Sequence, residues 1–278
     1  MAQELTSAEA ITRASKSNLA FAFISLGKER RRDITVFYAF CRLIDDIADA
    51  LDLAPEEKAC QLQTWREALR HRVSAEPALA PEVRSLIARY ALTPSMLDEI
   101  IDGVEMDLTI LRYDDFAALR KYCYKVASAV GLVSIEIFGY EDPACKEYAV
   151  DLGLALQLTN ILRDVAKDLA SGRIYLPLQD MVQFGYSEAD LIARTYDERF
   201  VKLMQFEADR AHEHFRRAAA VLPRQDRRAM ISAEIMGAIY RKLLMQMEAD
   251  RFQVFARNYR VSDFGKFLCV VQQLVRVV

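Results

Sequence analysis

Apolar residues recur at intervals of three and four along most of the chain, and the few helix-breaking residues fall between those stretches. The pattern is clearest over 116–138 and 145–170, which Pro143 separates and Ser171-Gly172 terminates. Upstream, Pro55 opens a segment through Arg72, Pro77 and Pro81 close the connection after it, and Thr93-Pro94 reads as an N-cap followed by proline at the first helical position. Downstream, Pro177 and Gly185 mark a loop. Ser187 with Asp190 reads as a capping arrangement for a helix over 188–221, and Pro223 divides that helix from a last long one running from 225 to roughly 256. There is no internal repeat, low-complexity tract or Pro/Gly/Ser linker, so the expectation is a single domain over residues 1–278.

Composition narrows the class. The chain holds 9 glycines and 7 prolines in 278 residues, well under average usage, which favours an all-α fold. A hydrophobic fraction of 53% supplies a core, and a net charge of -3 gives no electrostatic reason to expect nucleic acid. The first residues lack the basic flank and apolar stretch of a signal peptide, and no apolar run approaches the ~20 residues of a membrane span. The expectation is a cytoplasmic protein. Cys41, Cys60, Cys123, Cys145 and Cys269 show no CxxC pairing, so they are read as buried thiols. His212 and His214, two apart on a helix, point in different directions and do not suggest a metal site.

The candidate chemistry lies in two acidic clusters. Helical periodicity stacks Asp45 over Asp49, and Asn160 over Asp164 and Asp168, so each cluster projects oxygens from one helix face. Asp46 lies off the Asp45/Asp49 face. Such strings are commonly a solvated surface. Here, however, the sequence around them is apolar, Val36-Phe37-Tyr38-Ala39-Phe40-Cys41 before the first and Leu152-Gly153-Leu154-Ala155-Leu156 before the second. Stacked carboxylates in an apolar setting need counter-charges. Oxygen ligands without histidine or cysteine suit Mg²⁺, which keeps part of its shell for water and substrate phosphates. Arg42 and Arg163 sit beside the clusters, and a guanidinium fork matches either a carboxylate or a phosphate.

The stretches Tyr38-Ala-Phe-Cys-Arg-Leu-Ile-Asp-Asp-Ile-Ala-Asp49 and Gln157-Leu-Thr-Asn-Ile-Leu-Arg-Asp-Val-Ala-Lys-Asp-Leu-Ala-Ser-Gly-Arg-Ile-Tyr-Leu-Pro177 resemble the two signature motifs of the squalene/phytoene synthase family. Ser15-Lys-Ser17, Tyr122-Cys-Tyr-Lys-Val-Ala-Ser-Ala-Val-Gly131 and Ala233-Glu-Ile-Met-Gly-Ala-Ile-Tyr240 extend the similarity over nearly the whole chain. The resemblance implies an all-α isoprenoid synthase fold, with helices around a deep central pocket and the acidic motifs facing each other across its mouth. It also implies head-to-head joining of two allylic diphosphates. Asp45, Asp46, Asp49, Asn160, Asp164 and Asp168 would carry Mg²⁺, for which Mn²⁺ is a substitute. Ser15, Ser17, Arg42, Gln157, Asn160, Arg163, Arg173, Tyr240 and Arg257 would bind diphosphate. Tyr38, Tyr122 and Tyr175, with Arg42, would be catalytic, since a desolvated aromatic face stabilises a cation by up to about 2 kcal/mol and a phenol can relay a proton.

Between 126 and 138, Ala127 and Gly131 are one turn apart, which suits either a smooth tunnel wall or close helix packing. The strings VGLVSIEIFGY and AEIMGAIY resemble the bacterial branch that makes presqualene diphosphate, so farnesyl diphosphate is the expected substrate and two geranylgeranyl diphosphates, giving phytoene, the alternative. NADPH would be needed if the reaction continued to squalene. A terpene cyclase would share the fold, but its metal triad is Asn/Ser/Glu where this chain has Asn160, Asp164 and Asp168. A non-catalytic helical interaction protein would leave these charges in apolar stretches without a role. The segment Phe267–Val278 is too short for a membrane anchor and carries Arg276, so any bilayer contact is expected to be peripheral.

Overall fold

A computed structural model describes residues 8–14, 22–23, 25–50 and 52–277. Its helices are α1 (Ala8–Ala14), α2 (Lys28–Asp49), α3 (Pro55–Ala68), α4 (Ala80–Arg89), α5 (Pro94–Thr109) and α6 (Phe116–Cys123). After α6 the chain makes a wider π-helical turn, Tyr124–Ser128, and continues as α7 (Ala129–Phe138), α8 (Ala144–Ala170), α9 (Leu178–Gln183), α10 (Glu188–Ile192), α11 (Glu198–Val221), α12 (Ile231–Ala249) and α13 (Asp263–Val277). Among the described residues there is no strand, only an isolated parallel bridge between Arg112 and Ile174. The architecture is the expected all-α isoprenoid synthase fold.

Helix α8 is the axis of the molecule. Tyr148, Leu152, Ala155, Leu158, Leu162 and Val165 are buried along it, and α11 runs beside it over most of its length, contributing Phe200, Leu203, Met204, Ala208 and Ala211 to the same core. Two glycines let backbones meet around the π turn. A Cβ on Gly153 of α8 would lie 2.7 Å from the Ser128 amide nitrogen, and one on Gly103 of α5 would lie 2.7 Å from Lys125 Cβ. The widened turn is therefore gripped from both sides. Gly131 likewise faces the Ala149 carbonyl, 3.0 Å from where its Cβ would be, so at this position the small residue serves close packing.

Several boundaries differ from the periodicity reading. The helix expected over 188–221 is two helices, because Arg194 takes a left-handed φ of 53° and Asp197 starts a new helix by accepting the Arg199 and Phe200 amides. The expected helix from 225 to 256 covers only Ile231–Ala249. Before it, Asp226 is buried in a turn and accepts the amides of Glu141 and Asp142 at 2.7 and 3.0 Å. After it, Arg251 and Phe252 both have positive φ, and the Phe252 amide folds back on the Met247 carbonyl. A further helix, α13, then follows. The segment from Pro55 stops at Ala68, short of Arg72, and Pro81 sits in the first turn of α4 where a closing residue was expected. Thr93 occupies the N-cap position, but its hydroxyl pairs with Ser95 at 2.7 Å instead of a backbone amide. The Ser187–Asp190 capping box forms as expected. Cys60 is exposed and Cys41 half-buried, so only Cys123, Cys145 and Cys269 fit the reading as buried thiols. His212 and His214 face Glu248 and Asp151 respectively.

Candidate functional site

The end of α2 presents the first acidic cluster. Arg42 reaches Asp45 at 3.3 Å and Asp46 at 2.5 Å, one turn further along the same helix. This leaves Asp49 for a partner elsewhere. Desolvation and the neighbouring Asp49 charge push Asp45 up to about 6, outweighing the attraction of Arg42. Tyr38 lies half-buried one turn before Arg42 on the same helix.

The second cluster lies on α8. Arg163 grips Asp164 with two bonds, Nε to Oδ1 at 2.8 Å and Nη2 to Oδ2 at 2.5 Å. Tyr240 reaches in from α12 to hydrogen-bond Asn160 and Arg163; burial raises its phenol, and the Arg163 charge opposes that rise. Asn160 donates to Gln157 Oε1 at 3.3 Å, while its own Oδ1 is buried without a hydrogen-bond partner. One turn past Asp164, burial and the Asp164 charge push Asp168 up to about 7.

Arg173 ties the two clusters together. Gly172, with a φ of 77°, ends α8 in a turn that returns the Arg173 amide to the Asp168 carbonyl at 2.9 Å. The Arg173 guanidinium then crosses to Asp49 at 3.1 Å and to the Asp107 carbonyl at 3.4 Å. One residue is thus anchored to the second motif by its backbone and to the first by its side chain.

Asp107, near the end of α5, was not foreseen from the sequence. Its carboxylate accepts the Tyr175 hydroxyl at 2.6 Å and the Tyr122 hydroxyl at 2.9 Å, and those hydroxyls lie 3.3 Å apart. The two rings stack at 5.1 Å, and Tyr113 packs on both, its buried hydroxyl without a partner. Desolvation raises Asp107 above the ordinary carboxylate range against the pull of Tyr175 and Arg173, and it raises all three phenols. A signal was present: Asp107 interrupts the apolar face of α5, as Asp45 does that of α2.

The other candidates are less connected. Arg257 lies in the loop after α12, largely exposed, and pairs with Asp250 at 3.0 Å. Ser15 and Ser17 fall outside the described residues.

The donor set around Asn160 suits a hard divalent cation, because an unpaired buried carbonyl oxygen shares a helix face with Asp164 and Asp168. Among the described residues, no three histidine, cysteine or acidic side chains converge closely enough to hold an ion by themselves. An ion here would complete its shell with water or ligand oxygens.

Helices alone, two acid-bearing helices joined by Arg173, and a tyrosine trio beside them define an isoprenoid synthase. The squalene/phytoene synthase profile matches residues 12–264, and the chain belongs to that family, whose members condense two prenyl diphosphates head to head. It is 35% identical over 260 residues to a phytoene synthase of Arthrospira platensis, covering 87% of this chain and 82% of that one. It is also 35% identical over 253 residues to a presqualene diphosphate synthase of Rhodopseudomonas palustris, covering 90% of each. A dehydrosqualene synthase crystal structure in complex with ligand superposes with a TM-score of 0.82 at 25% identity, covering 97% of this chain and 95% of that one.

Proposed function

We propose that this chain joins two farnesyl diphosphates head to head into presqualene diphosphate. The observation that carries the reading is Arg173, which brings Asp49 of one acidic motif to the end of the helix bearing the other. Asp45, Asp49, Asn160, Asp164 and Asp168 would hold Mg²⁺, or Mn²⁺ in its place, with Asp46 occupied by Arg42. The metal supplies Lewis-acid neutralisation of the leaving diphosphate. Arg42, Arg163 and Arg173 add guanidinium donors, and Gln157 and Tyr240 orient Asn160 and Arg163. Arg257, Ser15 and Ser17 would add diphosphate contacts on the family resemblance alone.

The carbon–oxygen bond of the first substrate breaks with its electron pair going to the diphosphate, which leaves an allylic cation. The second substrate's double bond attacks that cation, and loss of a proton closes the product ring. The stacked Tyr122 and Tyr175 faces stabilise the cation, as does Tyr38 on the α2 side. The Asp107–Tyr122–Tyr175 contact offers the proton an acceptor. NADPH enters only if the product is carried on to squalene. The choice of a C15 substrate rests on the VGLVSIEIFGY and AEIMGAIY strings.

Incubating the purified protein with farnesyl or geranylgeranyl diphosphate and Mg²⁺, with and without NADPH, tests the proposal by product identification. Presqualene diphosphate or squalene is expected. Phytoene would overturn the substrate length, and a cyclic terpenoid the reaction class.

A further inference from the structure

The side chain of Arg173 departs from the peptide unit that Gly172 and Arg173 share, and that unit is pinned at both ends. Its N–H donates to the Asp168 carbonyl at 2.9 Å. Its carbonyl, on Gly172, accepts from Arg112 Nη1 at 2.6 Å. The second hold matters because Gly172, at a φ of 77°, has a wide choice of backbone angles, and a Cβ there would meet no atom within 4 Å. Packing on that side does not fix the turn. A peptide plane held at one end alone can swing, and a swing here carries the Arg173 guanidinium away from Asp49.

Arg112, in the link between α5 and α6, is itself held. Its Nε and Nη2 both donate to Glu188 Oε1, at 3.0 and 2.6 Å, while Nη1 also reaches the Leu111 carbonyl at 2.8 Å. Those bonds keep the Glu188 carboxyl below its ordinary value, so the pair is charged at neutral pH. Glu188 opens α10, whose start the Ser187–Asp190 box fixes. The backbones run side by side as well: the Ile174 amide donates to the Leu111 carbonyl at 3.0 Å and the Leu178 amide to that of Tyr113 at 2.9 Å. The Arg112 and Glu188 side chains are 31% and 39% exposed, where an ion pair adds little to stability. A pair worth little to the fold is nevertheless aimed at the backbone from which Arg173 springs.

We propose that Arg112, braced by Glu188, is a positioning residue that sets the Gly172–Arg173 peptide and so directs Arg173 to Asp49. The inference rests on the proposed role of Arg173 in joining the two acidic motifs.

The test is a double-mutant cycle with Arg173, read as diphosphate release from farnesyl or geranylgeranyl diphosphate in Mg²⁺. Arg112→Gln should lower kcat/KM about ten- to a hundredfold while its melting temperature stays near that of wild type. Arg112→Lys, which keeps a donor for the Gly172 carbonyl, should recover most of that loss. In an Arg173→Gln background, Arg112→Gln should cost less than about twofold more. Wild-type kcat/KM in Arg112→Gln would overturn the proposal, and so would an equal loss in both backgrounds. Should Arg112→Gln fail to fold, Glu188→Gln carries the same cycle with a smaller loss expected. Calorimetric binding of inorganic diphosphate in Mg²⁺ repeats the cycle without turnover. A wild-type product other than presqualene diphosphate would overturn the substrate reading and leave the cycle to be read as before.

Discussion

Replacing Asp107 in two ways separates what its carboxylate does for the fold from what it does for the reaction. In the native chain it satisfies two buried phenols, Tyr175 at 2.6 Å and Tyr122 at 2.9 Å. Asp107→Ala leaves the Tyr175 hydroxyl without an acceptor and the Tyr122 hydroxyl with only that of Tyr175, at 3.3 Å. At about 1–3 kcal/mol for a buried unsatisfied group, with a smaller loss at Tyr122 and the stacked rings otherwise intact, the cost should be about 2–4 kcal/mol. Asp107→Asn is different, since the amide can accept from one hydroxyl and donate to the other. It also removes the desolvation cost that raises Asp107 in the native chain. The two effects offset, so the asparagine variant should stay within about 1 kcal/mol of wild type. Its turnover should nevertheless fall at least about tenfold with little change in KM, because a neutral amide neither accepts a proton nor holds negative charge beside the cation. Urea denaturation and steady-state kinetics on the same preparations give both readouts. An alanine variant with the wild-type urea midpoint and slope would refute the structural half, and an asparagine variant with full kcat the chemical half.

Asp45→Asn and Asp164→Asn should each abolish turnover while circular dichroism remains helical; full activity in either would remove that residue from the metal set. Burial holds Glu207 up to about 8 although Arg210 lies 2.7 Å away, and Arg210 also serves Asp180 at 2.5 Å. A carboxyl raised this way keeps its contribution below its ordinary value of 4.5 and loses it as pH climbs through about 8. Between those limits wild type should therefore lose about 1.4 kcal/mol per pH unit relative to Glu207→Gln. A pH-independent difference in thermal stability would refute the shift. Gly153→Ala would push a methyl into the Ser128 backbone at 2.7 Å, a clash expected to cost about 1–3 kcal/mol, and an unchanged melting temperature would show that the π turn yields freely.

The long helices were legible because a period near 3.6 in a breaker-poor chain leaves few other solutions. The Ser187–Asp190 box was legible because capping is local chemistry. The break at 193–197 was not, since Ala-Arg-Thr-Tyr-Asp contains neither glycine nor proline; its turn is held by the Tyr186 hydroxyl on the Thr195 carbonyl at 2.7 Å and by the Asp197 cap. The same holds at Arg251-Phe252, where burial of Phe252 fixes a backbone that local propensity would not choose. Within the site, the residues of both motifs could be read from spacing on a single helix. Asp107 was marked only by its place on an apolar helix face, and its partners could not be read because they lie 15 and 68 positions along the chain. Nor could the contact between Arg173 and Asp49, which are 124 positions apart.

The charges of the assembled site make cation entry and substrate binding depend on each other. Among the described residues, Asp45, Asp46, Asp49, Asp107, Asp164 and Asp168 face the guanidinium groups of Arg42, Arg163 and Arg173, with Lys167 beside Asp168. Asp45 at about 6 and Asp168 at about 7 register the surplus, since each is raised by burial first and a neighbouring carboxylate second. A prenyl diphosphate brings further negative charge into this excess. On the proposed reading, the arginines are too few to accept it while also holding Asp46, Asp49 and Asp164. Stripping divalent cations with a chelator should therefore weaken farnesyl diphosphate binding itself, by at least about tenfold, as well as stopping turnover. Calorimetric titration with a farnesyl diphosphate analogue that cannot ionise, in chelator and in Mg²⁺, measures this without turnover. Equal affinity in both would show that the arginines alone receive the diphosphate, and that the carboxylates of the two helices answer to one another rather than to a metal.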